Sequence, residues 1–170
     1  EVVTMKSPRI VCHLLTTDWY VQRCFPRSAM VAIERAIKDS EARHDGEIRI
    51  AIEGSLEFRA LLHAQSARER AIELFSQLRV WDTQHNNGLL IYLLLADHAV
   101  EIVADRGLHE KVSQGEWNAV CRQMESAFKQ FEFESGVVDG IRMVTQHLVT
   151  HFPASGQYAN ELPDEPAVLR

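Results

Sequence analysis

Two stretches of the chain have the hydrophobic patterns of neighbouring β-strands. In Glu47–Glu53 polar and apolar residues alternate, which predicts a strand with its three isoleucines on one face. Leu89–Ala96 is apolar throughout, which favours a strand that is buried on both faces. Between them, Ser66 and Glu69 have the spacing of a capping box and open a helix. This order predicts a right-handed crossover that joins two parallel strands.

A third strand, Val100–Ala104, follows directly after Asp97 and His98. These two residues predict a tight two-residue turn and an antiparallel hairpin, in which Leu95 lies opposite Val100. Apolar residues at helical spacing predict several helices. The first is a helical preface within about residues 8–25, and it is followed by a helix at about 29–44 with Ser28 as its N-cap. Another helix follows a second capping box at Ser113 and Glu116, and a last helix runs from near Gly136 to Phe152. Helices before, between and after three strands predict the α/β class, as a three-layer α/β/α sandwich around a small mixed β-sheet.

The chain divides into three segments by composition. We interpret residues 1–27 as a helical N-terminal extension and residues 28–152 as the α/β/α domain. Residues 153–170 hold three of the five prolines and show little periodicity, so we expect an irregular C-terminal tail. Its apolar residues offer docking points, namely Leu162, Val168 or Leu169.

Composition narrows the classes of partner. The 170 residues can bury a core without disulfides, and the net charge of −6 argues against nucleic acid or an anionic membrane surface as the main partner. Three cysteines without paired spacing indicate reduced thiols. The longest apolar run is too short to span a bilayer, and no signal peptide is visible at the N-terminus. We therefore expect a cytoplasmic protein without direct membrane insertion.

Oxygen-bearing side chains gather at one end of the predicted hairpin. Asn86 and Asn87 enter the apolar strand, Asp105 follows the strand that returns beside it, and Asp82 lies in the preceding loop. Carboxylate and amide oxygens are the ligands that Ca²⁺ and Mg²⁺ prefer, so these four residues predict a divalent-cation site. The alternative is structural: Asp82 forms an Asx-turn, Asn87 and Gly88 supply positive φ, and Asp105 pairs with a neighbouring cation.

The other sequence motifs are weaker evidence for a catalytic or metal-binding site. His147 and His151 share a helix face at i, i+4, but no third metal ligand can be assigned. His85 lies within the polar loop and is a candidate general acid. Arg43–Gly46 resembles the core motif of histidine acid phosphatases without its downstream arginine and proline. The glycine-rich loops of nucleotide-binding proteins are absent from the sequence.

The order of the motifs resembles a known family. The motifs are Gly46–Ile52, the block from Asp82 to Ile91, Val100–Leu108, a helix with Trp117, an aromatic stretch at Phe131–Phe133 and a helix with Gly136. Over roughly residues 28–152 this succession resembles the TPM domain, found in the photosystem II repair protein of the thylakoid lumen and in many bacterial envelope proteins. The chain looks closest to a short soluble bacterial subgroup.

The resemblance implies an α/β/α sandwich and a divalent-cation site, which is carried over to Asp82, Asn87 and Asp105. It also implies one of two functions. The leading hypothesis is a Ca²⁺- or Mg²⁺-binding auxiliary or interaction module that contacts a protein partner, including a membrane-associated one. The alternative is a metal-assisted acid phosphatase that hydrolyses phosphomonoesters, with His85 protonating the leaving group. The sequence contains no readable nucleophile–base pair, so no catalytic residue is assigned.

Overall fold

The computed structural model describes residues 7–156 and 159–169. Within them the strands are β1 (Glu47–Glu53), β2 (Gly88–Leu94), β3 (Ala99–Ala104) and β4 (Ala167–Leu169). The helices are α1 (Ser7–Leu15), α2 (Asp18–Cys24), α3 (Arg27–Glu41), α4 (Phe58–Leu62), α5 (Ala67–Gln77), α6 (Arg106–His109), α7 (Gln114–Lys129) and α8 (Phe133–His151), and a 3₁₀ turn spans Leu95–Asp97. The helical preface, the strands β1 to β3 and the helices around both capping boxes are confirmed.

The four strands form one mixed sheet in the order β3-β2-β1-β4. β1 and β2 are parallel, as predicted, with Glu47 opposite Gly88. β2 and β3 are antiparallel. β4 lies parallel to β1 on its outer side, with Ala51 opposite Ala167. The fourth strand was not predicted, because three residues within a proline-rich tail are too few to show a strand pattern.

Helices cover both faces of this sheet and complete the predicted three layers. The isoleucines of β1 and the odd-numbered residues of β2 pack with α3, α7 and α8 in one buried cluster. Ala51 of β1 and the even-numbered residues of β2 pack with α5 in a second buried cluster. Every side chain of β2 is therefore buried, as expected for a strand that is covered on both faces.

The hairpin between β2 and β3 corrects the predicted turn. Leu94 lies opposite Ala99, and the 3₁₀ turn ends at His98, which has a left-handed φ of 50°. The predicted two-residue turn and the pairing of Leu95 with Val100 are therefore wrong. The Asp97 carboxylate in this longer turn binds Arg9 at 2.6 Å and His13 at 2.9 Å. Both partners lie on α1, far away in the sequence, so the residues around the turn did not predict these contacts. A register shift of two residues leaves each side chain on its predicted face.

The start of α3 differs from expectation. α3 begins at Arg27 after Pro26, so Ser28 is not its N-cap. Phe131, which follows the end of α7, has a left-handed backbone and is 75% exposed. The tail docks through Leu162, which is buried, whereas Val168 stays largely exposed. No helix in the described part of the chain is long and apolar enough to cross a membrane.

Candidate functional site

The loop that enters β2 is held tightly against the end of the sheet. A Cβ atom on Gly88 would lie 2.0 Å from the carbonyl oxygen of Val80, so only glycine fits there. The backbone amide of Asn87 donates to the Thr83 hydroxyl at 3.1 Å. Positive φ, which was considered for Asn87 and Gly88, occurs instead at Asn86, where φ is 53°. The loop therefore presents Asn86 and Asn87 in a fixed conformation.

The exit of β3 meets this loop. The amide of Asp105 donates to the carbonyl of Gly88 at 2.9 Å, and the amide of Gly107 donates to the carbonyl of Asn86 at 3.0 Å. Asp105 is also the N-cap of α6, because its Oδ1 accepts from the amide of Arg106 at 2.7 Å. The structure thus brings three of the candidate residues, Asn86, Asn87 and Asp105, to one end of the hairpin.

Two oxygen atoms at this end have no hydrogen-bond partner. Asn87 is 2% exposed, and its Nδ2 donates to the carbonyl of Asp45, which fixes the orientation of the amide. The opposite atom, Oδ1, is buried and unbonded, and so is Oδ2 of Asp105. Buried oxygens of this kind cost free energy unless a water or an ion satisfies them. Asn87 directly precedes β2, and its side chain binds the segment before β1. Asp105 directly follows β3, which pairs with the other side of β2.

The other two candidate residues already have cationic partners. The Asp82 carboxylate is exposed and pairs with Arg79 at 2.5 Å. Asn86 Oδ1 accepts from the Arg106 guanidinium at 3.1 Å. Within residues 7–156 and 159–169, no group of three or more histidine, cysteine, aspartate or glutamate side chains is arranged to hold a metal ion. A cation here would therefore rely on the two free oxygens, on backbone carbonyls and on water.

The candidate histidines lie in separate places. His85 is exposed in the loop before β2. His147 packs edge-on against Trp117, with 5.4 Å between ring centroids, and its Nδ1 lies 3.8 Å from the Glu116 carboxylate. His151 is exposed near the end of α8. His147 thus has a packing role against α7.

His44 forms a serine–histidine contact that sequence analysis did not anticipate. The amide of Gly46 donates to His44 Nδ1 at 3.1 Å, so the proton of the neutral ring lies on Nε2 and is donated to Ser40 at 2.7 Å. Ser40 then donates to Thr145, and Thr145 donates to the carbonyl of Ile141. The imidazole cannot accept the serine proton in this arrangement, so the contact is structural. Burial lowers the pKa of His44 to about 4, which keeps the ring neutral.

A second buried polar cluster lies at the opposite, carboxyl end of β1. Glu53 is 3% exposed and accepts from Arg70 at 2.8 and 3.0 Å and from the Tyr92 hydroxyl at 2.5 Å. Burial and the Glu53 charge raise the pKa of Tyr92. The single tyrosine within the apolar run of β2 was the available signal in the sequence. Each polar group in this cluster has a partner, which indicates a structural role.

Comparisons with known proteins give a consistent picture. The family model of the TPM domain matches residues 23–147. Among solved structures, the chain is similar to the BA42 protein of the psychrophilic bacterium Bizionia argentinensis, with 31% identity and a TM-score of 0.73 over 84% of this chain and 93% of that chain. It also shares its fold with the N-terminal domain of a P. gingivalis protein, with 18% identity and a TM-score of 0.61 over 74% of this chain and 79% of that chain. No curated protein shows significant similarity to the chain. The family match and the BA42 structure together establish that this chain belongs to the TPM domain family.

Proposed function

We propose that this TPM domain binds a divalent cation at the entry of β2 and acts as an auxiliary module that contacts a protein partner. The observation that carries the proposal is the pair of buried, unbonded oxygens, Asn87 Oδ1 and Asp105 Oδ2. One is an amide oxygen and the other a carboxylate oxygen, and Ca²⁺ and Mg²⁺ prefer both kinds. Two protein ligands are few, so water and backbone carbonyls complete the shell and binding is weak.

The other two predicted ligands already have guanidinium partners, so the proposed site does not depend on them. Arg79 pairs with Asp82, and Arg106 binds Asn86, so two of the four predicted ligands already attract guanidinium groups. The Asp82 carboxylate adds a negative charge to the loop that precedes Asn87, and Arg79 compensates it. A bound cation would neutralise the Asp105 carboxylate and fix the contact between the loop and α6. Its role in this proposal is to order the surface at the entry of β2.

The surface of the chain supports a partner contact. The N-terminal helices α1 and α2 expose Leu14, Leu15 and Trp19, each more than half accessible. Exposed apolar surface of this kind is typical of interaction sites. The Ser40–His44 contact is oriented against nucleophile activation, which favours a module over an enzyme.

The second candidate function is metal-assisted hydrolysis of phosphomonoesters. It is favoured by the name of the matching family model, which includes the word phosphatase, and by the exposed position of His85 beside the proposed cation site. In this alternative Asp82 and Asp105 hold the ion, and His85 supplies a proton to the leaving group.

An NMR titration of the full chain with Ca²⁺ and Mg²⁺ tests cation binding. We expect saturable amide shifts in residues 83–88 and 105–107, because these segments carry the two free oxygens. Asp105→Asn should weaken them strongly while preserving the α6 N-cap, since asparagine caps as well as aspartate. The matched control is Asp139→Asn, an exposed aspartate of α8 that pairs with Arg142. Absence of localised shifts would contradict the proposal.

An assay with p-nitrophenyl phosphate, with and without each ion, separates the two functions. The module predicts no turnover across the acid and neutral pH range. Metal-dependent turnover that is lost in a folded Asp82→Ala protein would support the phosphatase instead. Asp39→Ala, an exposed aspartate of α3, is the control for loss of a surface carboxylate.

A further inference from the structure

Three short helices, α1, α2 and α4, carry large apolar side chains that are open to solvent. Of the eleven large hydrophobic side chains that are exposed in the described part of the chain, six lie on these helices and are here called the apolar face: Val11, Leu14, Leu15, Trp19, Phe58 and Leu62. Single exposed apolar residues are ordinary on a protein surface, whereas a concentration of this kind is typical of an interaction site.

The three helices adjoin one another at the end of the sheet where β1 and β2 finish. α1 packs beside the 3₁₀ turn that follows β2. The amide of Leu56, two residues before α4, donates to His13 Nδ1 of α1 at 2.9 Å. α2 approaches the same segment so closely that a Cβ atom on Gly54 would lie 2.8 Å from Val21 Cγ2. The apolar face therefore lies at the end of the sheet opposite to the proposed cation site.

Polar side chains fix the orientation of α1. Arg9 and His13, one turn apart on the same helix face, bind the Asp97 carboxylate at 2.6 and 2.9 Å. The side chain of His13 is fully buried, and that of Asp97 is mostly buried. If α1 turned its leucines inward, it would break these bonds and leave the Asp97 carboxylate without its partners, which costs free energy. The outward position of Leu14 and Leu15 is therefore a fixed feature of the fold.

The apolar face is large enough for a specific protein interface. Six large apolar side chains that are half or more exposed present on the order of 700 Å², close to the roughly 800 Å² that each partner contributes to an interface of standard size. The Arg23 guanidinium lies over the Trp19 ring, 5.5 Å from its centroid. Tryptophan and arginine are the side chains that most often dominate the binding energy of an interface. Both the area and the composition therefore fit a protein partner.

The charged residues on these helices have both signs. Asp18 and Arg23 are exposed on α2, and Glu57 and Arg59 are exposed at the start of α4. Helices that bind an anionic membrane surface are predominantly basic, so this charge pattern does not favour a lipid surface. An apolar surface that carries both acids and bases is complementary to itself when two copies meet about a twofold axis, because each acid can face a base of the other copy.

We infer that the apolar face is a homodimer interface, in which α1, α2 and α4 of two copies of this chain pack about a twofold axis. This interface rests on the partner contact of the proposed function and identifies the partner as a second copy. Association buries the side chains that the anchored α1 cannot bury within its own copy, and this burial supplies the driving force. Each copy keeps its proposed cation site at the far end of its sheet.

Sedimentation velocity of the full chain, from low micromolar to submillimolar concentration, tests the interface. We expect a reversible dimer. Trp19→Ala should weaken dimerisation about thirtyfold or more, as expected for a tryptophan that dominates an interface. Leu15→Glu should weaken it at least about a hundredfold, because the twofold axis brings two like charges into the apolar face. The matched control is Trp81→Ala, an exposed tryptophan in the loop before β2, which should dimerise like the parent.

Cys12 provides an independent measurement. Of the three cysteines only Cys12 is exposed, and it lies on α1, whereas Cys24 and Cys121 are buried. A short bis-maleimide should therefore join two copies of the parent through Cys12. The crosslink should be lost in Leu15→Glu at the same protein concentration and kept in Trp81→Ala.

The inference is overturned if the parent is monomeric at every concentration, or if Leu15→Glu and Trp19→Ala dimerise as tightly as the parent. Monomeric parent protein that binds phosphatidylcholine or phosphatidylglycerol vesicles, with binding lost in Leu15→Glu, would also overturn it and assign the face to a lipid surface. A Ca²⁺ titration of Leu15→Glu by NMR keeps the cation site separate. Localised shifts in residues 83–88 of this variant would support that site whether or not the chain dimerises.

Discussion

The backbone amide of Asp105 donates to the carbonyl of Gly88 at 2.9 Å and joins the exit of β3 to the entry of β2. Through this bond, one end of the hairpin carries both the carboxylate of Asp105 and the amide of the adjacent Asn87. Each of these side chains retains a buried oxygen without a partner. We therefore expect a cation bound at this end of the hairpin to stabilise the folded protein.

Ca²⁺ should raise the melting temperature of the protein, because a ligand that binds only the folded state stabilises it. At about ten times the Kd, the stabilisation is about 1.4 kcal/mol, which raises the Tm by about 3–5 °C for a chain of this size. Asp105→Asn should reduce this rise by more than half without lowering the Tm of the metal-free protein.

Asp139→Asn is the control for net charge in this measurement, and its response to Ca²⁺ should match that of the parent. Asp97, at the other end of the hairpin, is unsuitable because it binds Arg9 and His13. Equal loss of response in Asp105→Asn and Asp139→Asn would show that net charge, and not a defined site, determines the effect.

The glycine at the entry of β2 should be irreplaceable. In Gly88→Ala the new Cβ would lie 2.0 Å from the Val80 carbonyl, which must move together with the loop. We expect a loss of at least about 3 kcal/mol in the free energy of unfolding, measured by urea denaturation. Gly115→Ala, in the first turn of α7, places its Cβ no closer than 3.8 Å to any neighbour and should stabilise by about 0.4–1 kcal/mol. Equal effects would show that the close approach to Val80 relaxes without cost.

Local signals were sufficient where neighbouring residues determine the structure. The capping boxes of Ser66 and Ser113 appear as predicted, because each is satisfied by a glutamate three residues later. The hairpin turn was mispredicted because Asp97 binds partners on α1, a contact between distant parts of the chain. α4 and α6, with five and four residues, are too short to produce a periodic pattern.

In the candidate site, too, part of the arrangement could be predicted from the sequence and part could not. The proximity of the entry of β2 at Gly88 to the exit of β3 at Asp105 followed from strand order, and it survived a register error of two residues because such a shift keeps the same ends of the strands together. The arginine partners of Asp82 and Asn86 could not be predicted, since their geometry depends on the loop conformation.

β2 should not tolerate a charge at its centre. Leu93 is fully buried and packs in the cluster beneath α7 and α8, so Leu93→Asp would place an unpaired carboxylate in an apolar layer. We expect a loss of more than about 4 kcal/mol, visible as the absence of a cooperative thermal transition. Val168→Asp, at an exposed position of β4, should change stability by less than about 1 kcal/mol. A cooperative melt of Leu93→Asp near the parental Tm would contradict the three-layer arrangement around β2.

The buried histidine of the Ser40–Thr145 network should make the protein sensitive to acid. The pKa of His44 is about 4 in the folded protein and 6.5 in its ordinary state, because burial disfavours the charged ring. The unfolded chain therefore binds more protons between these values, so the contribution of His44 to stability is present above pH 6.5 and is lost as pH falls toward 4. The expected loss is about 3 kcal/mol.

Urea denaturation of the parent and of His44→Gln at pH 4.5 and 7 isolates this contribution, since other titrating groups, including Glu41, are common to both proteins. His44→Gln should be less stable at pH 7 and lose less on acidification, whereas His151→Gln, at an exposed position, should follow the parent. A parent and a His44→Gln protein with the same acid dependence would show that the ring gains its proton without disturbing the network.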